Sequence, residues 1–200
     1  MRTLAYISLL GAALVCGCST PQNQFRGLTL REASDTAVLI TSVPPLLQDK
    51  SVSCGPACVA AVAAYWDVSF NKIAKDNTDS HYAEDYTVEE LELLAVGLGL
   101  KAFKYTGSMA DLEGNLRKGR PLIVMIPKPK SSLPFELSFN NVPVSNLARS
   151  DPSHWIIVIG QTQDKIVVQD PSSGRQAIGR GAFENQWKKR EYTCLLLTAE

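Results

Sequence analysis

Two apolar runs in the last quarter of the chain constrain its fold most. His154-Trp-Ile-Ile-Val-Ile-Gly160 and Lys165-Ile-Val-Val-Gln-Asp170 are strand-length and rich in β-branched residues, and only four polar residues separate them. Such a pair predicts an antiparallel hairpin. A hairpin returns the end of its second strand to the start of its first, so Asp170 comes back toward His154. The turn Asp170-Pro-Ser-Ser-Gly174 then closes the second run. A histidine fixed on a strand, with a carboxylate brought to its side, is half of a nucleophilic catalytic set.

Far upstream, Cys54 stands in Ser53-Cys54-Gly55-Pro56-Ala57-Cys58, directly before an alanine-rich run to Trp66. Pro56 suits a first helical turn, where its missing N–H costs little. The run from Ala57 to Trp66 has small residues on nearly every side, which predicts a helix buried all round. A thiol at a helix start meets free backbone N–H groups and the positive end of the helix dipole, and both favour thiolate, the nucleophilic form. Cysteine, histidine, carboxylate is the order of parts that a cysteine hydrolase needs. Gln48, six residues before Cys54, can offer a side-chain N–H to an oxyanion together with the Cys54 backbone N–H.

The other candidates rank lower. The second of the two histidines, His81, lies in an acidic, aromatic stretch and suits a surface or substrate rim. Asp151 is a rival orienting group, but it sits on the loop entering His154. Trp155 reads as packing. Cys58 and Cys194 read as small buried hydrophobes; a disulfide between them is the competing arrangement. The cysteine and histidine spacings match no zinc pattern, and no cofactor is expected. The 20 basic residues balance the 20 acidic ones, which argues against a nucleic-acid partner.

The N-terminus reads as export. Arg2 precedes an apolar run from Leu4 to Val15 that is too short for a stable span. Val15-Cys16-Gly17-Cys18 resembles the lipobox of bacterial lipoproteins, which implies cleavage before Cys18 and acylation of that residue. The expected organisation is a signal peptide over 1–17, a membrane tether over 18–35 and one globular domain over 36–200. Ser19, not Asp, follows the acceptor, and by resemblance to sorting rules this points to the outer membrane facing the periplasm.

Between these landmarks the chain predicts a strand at 36–41, a helical turn at 71–76, and a helix from the capping-box sequence Thr87-Val-Glu-Glu90 to Gly97 or Gly99. A strand follows at 101–105, then a helix from Ser108 to Lys118 stopped by Gly119, and a buried strand at 121–126. Residues 128–152 hold four prolines and no clear period, which predicts a long loop suited to covering a cleft. A helix at 182–189 and a strand at 192–198 close the chain. The class is α+β, with N-terminal helices on a C-terminal antiparallel sheet.

Gln48, Cys54-Gly55-Pro56, His154-Trp155 and Asp170-Pro171 together resemble the bacteriocin-processing, double-glycine leader peptidases among the papain-like cysteine peptidases. The resemblance runs from about Leu46 to the C-terminus. It implies a papain-like fold, Cys54 as nucleophile, His154 as general base and acid, Asp170 as its orienter and Gln48 in the oxyanion hole. It also implies cleavage of peptide bonds after a small pair such as Gly-Gly, with an exporter or secretion system as partner. This chain departs from that family in carrying no nucleotide-binding motif and no transporter span, and in reading as exported itself. Two other readings stay open: an amidase or transpeptidase acting on a different acyl substrate, and a non-catalytic module that holds peptides in the cleft.

Overall fold

The computed structural model describes residues 37–45, 53–69, 86–128, 138–139, 142–143 and 153–199. The elements run β1 (Val38–Leu39), α1 (Cys54–Tyr65), α2 (Val88–Gly97), β2 (Lys101–Thr106), α3 (Met109–Arg117), β3 (Leu122–Pro127), β4 (Ser138–Phe139), β5 (Val142–Pro143), β6 (Ser153–Gln161), β7 (Lys165–Asp170), β8 (Gly174–Gly179), α4 (Arg180–Lys188) and β9 (Thr193–Thr198). Seven strands form one sheet in the order β2-β9-β3-β6-β7-β8, with β1 pairing on β6. Every pairing is antiparallel. The architecture is α+β, as the sequence predicts, and β2 and β3 join the sheet from between the helices.

Side chains reaching off β2 fix the layers. Lys104 pairs with Glu89 and Glu92 of α2, whereas the neighbouring Tyr105 hydroxyl accepts a hydrogen bond from Asn115 of α3. Consecutive strand residues point to opposite faces, so α2 and α3 lie on opposite sides of the sheet. Helix α1 packs against α2 and β6. Its residues from Cys54 to Ala63 are buried without exception, because small side chains let the helix sink into the sheet surface. At its C-terminal end the Tyr65 hydroxyl donates to Gly119 O at 2.7 Å, and Trp66 Nε1 donates to Leu197 O at 3.0 Å. These bonds anchor the helix that begins with Cys54.

Local signals set most boundaries. Thr87 and Glu90 form the expected capping box, with Glu90 N donating to Thr87 Oγ1 at 3.2 Å and Thr87 N to Glu90 Oε2 at 2.8 Å. Ser108 caps α3 through Asp111 N at 3.1 Å. Gly119 takes a left-handed φ of 68° as the chain leaves that helix, a conformation that carries no penalty without a Cβ.

Some expectations are adjusted. Helix α1 starts at Cys54 itself, because Ser53 already holds the extended N-cap geometry. The first strand shortens to Val38–Leu39. Residues 174–179, read as following a turn, form β8, paired along its length with β7 from Asp170↔Gly174 to Lys165↔Gly179. Its Gly-Arg-Gln-Ala-Ile-Gly sequence has no apolar alternation, so the strand exists through ladder bonds. Helix α4 starts two residues earlier than expected, at Arg180. The 128–152 stretch holds the small β4–β5 pair; most of the rest, like the helical turn expected at 71–76, lies outside the described residues. Among the described residues no helix is long and apolar enough to cross a membrane.

Cys58 and Cys194 are buried, free thiols, not a disulfide. Cys194 pairs across from Tyr105 and so faces the α3 side, away from α1.

Candidate active site

The sheet and α1 bring residues 101 positions apart into contact. Cys54 is the first residue of α1, and no acidic side chain occupies the first turn to offset the positive helix end. Its sulfur accepts a hydrogen bond from the Trp155 backbone N–H at 3.5 Å. The ring of the neighbouring residue, His154, lies beside the Cys54 side chain, which acts to raise the proton affinity of the imidazole. Gly55 is what allows this approach. A Cβ there would stand 2.9 Å from Leu91 Cδ2 and 3.2 Å from the Trp155 indole. That indole is locked by donating to Tyr86 O at 2.9 Å. Trp155 thus packs as expected, and it adds a backbone donor to the thiol.

His154 Nε2 lies 2.9 Å from Asp170 Oδ1, and both side chains are almost fully withdrawn from water. With Nε2 engaged, Nδ1 is the ring nitrogen left for the sulfur. The alignment depends on a β-bulge. Near the hairpin turn the register is Gln161↔Ile166 and Gly160↔Val167; beyond it the register is Val158↔Val168 and Ile157↔Gln169. Ile159 is the extra residue. Continued without the bulge, the turn-end register would set Asp170 opposite Ile157, on the other face from His154. With it, Asp170 falls beyond Gln169 opposite Ile156, on the face that His154 shares. Gly160 permits the crossing of β1 here, since a Cβ would come 2.6 Å from Val38 O.

Asp170 Oδ1 also accepts from Ser172 N and from Ser172 Oγ, each at 2.7 Å. Burial alone would push this carboxyl up, but the bonds to His154 and Ser172 outweigh it and hold the group at about 2. Burial alone would likewise push His154 down; the Asp170 carboxylate and the Cys54 thiol reverse this and raise it to about 9. The other two thiols differ in kind. Burial raises Cys58 well above the ordinary thiol range, and burial pushes Cys194 up to about 12. Of the three described cysteines, only Cys54 lies beside the His154 imidazole.

Three sequence candidates, Gln48, His81 and Asp151, lie outside the described residues, as does Cys18. The segment that leads toward Gln48 is nevertheless held firmly. Arg175 Nη2 donates to Thr41 O at 2.9 Å and to Val43 O, Gln169 Nε2 donates to Pro44 O, and Arg175 Nε joins the pair by donating to Gln169 Oε1 at 3.0 Å. Gln169 and Arg175 are direct cross-strand partners. The sequence gives one hint of this clamp, a polar Gln inside the apolar β7 run. No group of side chains suited to hold a metal ion occurs among the described residues.

A buried thiol, imidazole and carboxylate in hydrogen-bonded series can form a nucleophile, pass its proton to a leaving group and keep the ring oriented meanwhile. Residues 40–195 match the model of the Peptidase_C39 like family. The chain belongs to that family. It is accordingly a cysteine peptidase, a hydrolase.

The solved structures it resembles share this fold. A C39-like peptidase from Bacillus anthracis superposes with a TM-score of 0.57 at 18% identity, covering 82% of this chain and 98% of that one. The peptidase domain of Streptococcus ComA, a bi-functional ABC transporter involved in a quorum sensing pathway, gives 0.57 at 17% identity over 78% and 97%. A double glycine motif protease from an AMS/PCAT transporter, in complex with the leader peptide, gives 0.53 at 19% identity over 82% and 99%. No curated protein sequence matches the chain.

Proposed function

We propose that this C39-like peptidase cleaves peptide bonds through Cys54, His154 and Asp170. The observation that carries the reading is the continuous series from the Cys54 sulfur to the His154 ring and on to Asp170 Oδ1. The Cys54 thiol gives its proton to His154, and the thiolate attacks the scissile carbonyl carbon. The carbonyl electron pair moves onto oxygen, where the Cys54 backbone N–H and the Gln48 side chain donate to it. Collapse of the tetrahedral species expels the amine, which takes its proton from His154 and leaves an acyl-thioester. His154 then takes a proton from water as the water attacks, and the returning electron pair releases the thiolate and the free acid. Asp170 stays ionised throughout and holds the imidazolium.

The proposed substrate is a peptide cut after small residues such as Gly-Gly. The sequence resemblance supports this, as does similarity in fold to a double glycine motif protease bound to its leader peptide. The ComA likeness makes an exporter or secretion system the natural partner class. We further propose that Cys18 carries a lipid anchor placing the domain at the bacterial envelope, on the periplasmic face of the outer membrane; the lipobox-like Val15-Cys16-Gly17-Cys18 supports it.

Cys54→Ala, assayed on a peptide library with and without Gly-Gly sites, tests the reading. Loss of all cleavage in a protein that keeps its melting profile is the expected result. Cleavage at the wild-type rate by Cys54→Ala overturns it.

A further inference from the structure

We propose that Ser172 is a positioning residue for the peptidase reaction, acting through Asp170. The proposal rests on the catalytic reading above and extends it to a residue that reading does not use.

Three donors converge on one oxygen. Asp170 Oδ1 takes His154 Nε2 at 2.9 Å, Ser172 N at 2.7 Å and Ser172 Oγ at 2.7 Å. A carboxylate turns freely about its last bond and can offer either oxygen to a neighbour. Here the two Ser172 donors select Oδ1 and keep it turned toward the imidazole. The local chain is built for this. Asp170-Pro171-Ser172 is an Asx-type turn, in which the carboxylate accepts the backbone N–H two residues on. Pro171 fixes φ at the intervening position. The turn also starts β8, whose first pair is Asp170↔Gly174, so the same few residues end one strand and aim the carboxylate.

The neighbouring serine serves as an internal control. Ser173 Oγ is engaged elsewhere, accepting from Gln176 Nε2 at 2.7 Å on the protein surface. The two serines are adjacent and chemically identical, but only Ser172 touches Asp170 through its hydroxyl.

The test compares Ser172→Ala, Ser172→Thr and Ser173→Ala in the full chain, reading the Asp170 carboxyl titration by carbon-13 NMR and the kcat and KM on a cleaved peptide. In Ser172→Ala the titration midpoint rises by about one pH unit, a tenfold change in proton affinity, and kcat falls about tenfold with KM little changed. Ser172→Thr restores both, and Ser173→Ala leaves both at the wild-type values. The proposal is overturned if Ser172→Ala moves neither readout, if Ser172→Thr fails to restore them, or if Ser173→Ala moves them equally. The two levels separate cleanly. An inactive Cys54→Ala with an unaltered Ser172→Ala sinks this proposal alone; an active Cys54→Ala sinks the catalytic reading, and with it any role of Ser172 in the reaction.

Discussion

His154 and Asp170 meet at 2.9 Å across a hairpin whose register shifts by one residue at Ile159. The shift decides the site. Side chains alternate between faces along a strand, so an odd change in register moves a residue from one side of the sheet to the other. The polar pair is buried, and it is satisfied only on the face where the bulge puts it.

Shifting the register of β7 past the bulge by one residue should therefore abolish activity with Cys54, His154 and Asp170 all still in the chain. Deletion of Val168 shortens β7 by one residue past the bulge, sets Asp170 opposite Ile157 and so sends it to the far face. Peptide cleavage should drop by a factor of at least ~10², measured beside circular dichroism to show that the sheet persists. Gly160→Ala is the milder companion. The new methyl would press on Val38 O, and the strain of such overpacking is about 1–3 kcal/mol, readable as a lower urea midpoint.

The pH dependence of stability follows from the same pair. His154 is raised above its ordinary 6.5, to about 9. Its contribution is fully present below pH 6.5 and is lost as pH rises through 9. Asp170 is lowered below its ordinary 3.8, to about 2. Its contribution is present above pH 3.8 and is lost as pH falls through 2. Wild type should exceed Asp170→Asn in stability most clearly between these limits, from about pH 4 to 6.5. Denaturant titrations across pH 3–10 check this, and a difference that grows steadily toward pH 10 contradicts it.

Arg175→Ala should loosen the segment before Gln48. The guanidinium is partly buried, and burial lowers its proton affinity. It spans Thr41 O, Val43 O and Gln169 Oε1. Its loss leaves acceptors without their charged donor, which costs about 1–3 kcal/mol. Limited proteolysis should then cut near residues 41–45 sooner than in wild type.

Much of this was legible from local chemistry. Cys54 before Gly55-Pro56 marked the helix start, and Thr87 with Glu90 marked the next one, because caps and first turns are encoded within a few residues. The apolar runs at 154–160 and 165–170 marked the hairpin and hence the His154–Asp170 approach. Long-range structure was less visible. Strand β8 is held by pairing with β7 and has no apolar pattern of its own. The bulge left one trace, Gly160 inside a strand-like run, and nothing local counts an inserted residue. The grip of Arg175 on residues 41 and 43 depends on a strand more than 130 positions away. Ser172 was visible only as part of a turn, since a turn motif does not show which acceptor its donors serve.

Folding gives one of the three described cysteines an imidazole partner. The direct measurement is brief iodoacetamide labelling at neutral pH, mapped by peptide mass spectrometry in wild type and in His154→Ala. Label should appear on Cys54 ahead of Cys58 and Cys194, and the labelling rate at Cys54 should fall at least tenfold when His154 is removed. Equal labelling of the three thiols, or a Cys54 rate indifferent to His154, would contradict it.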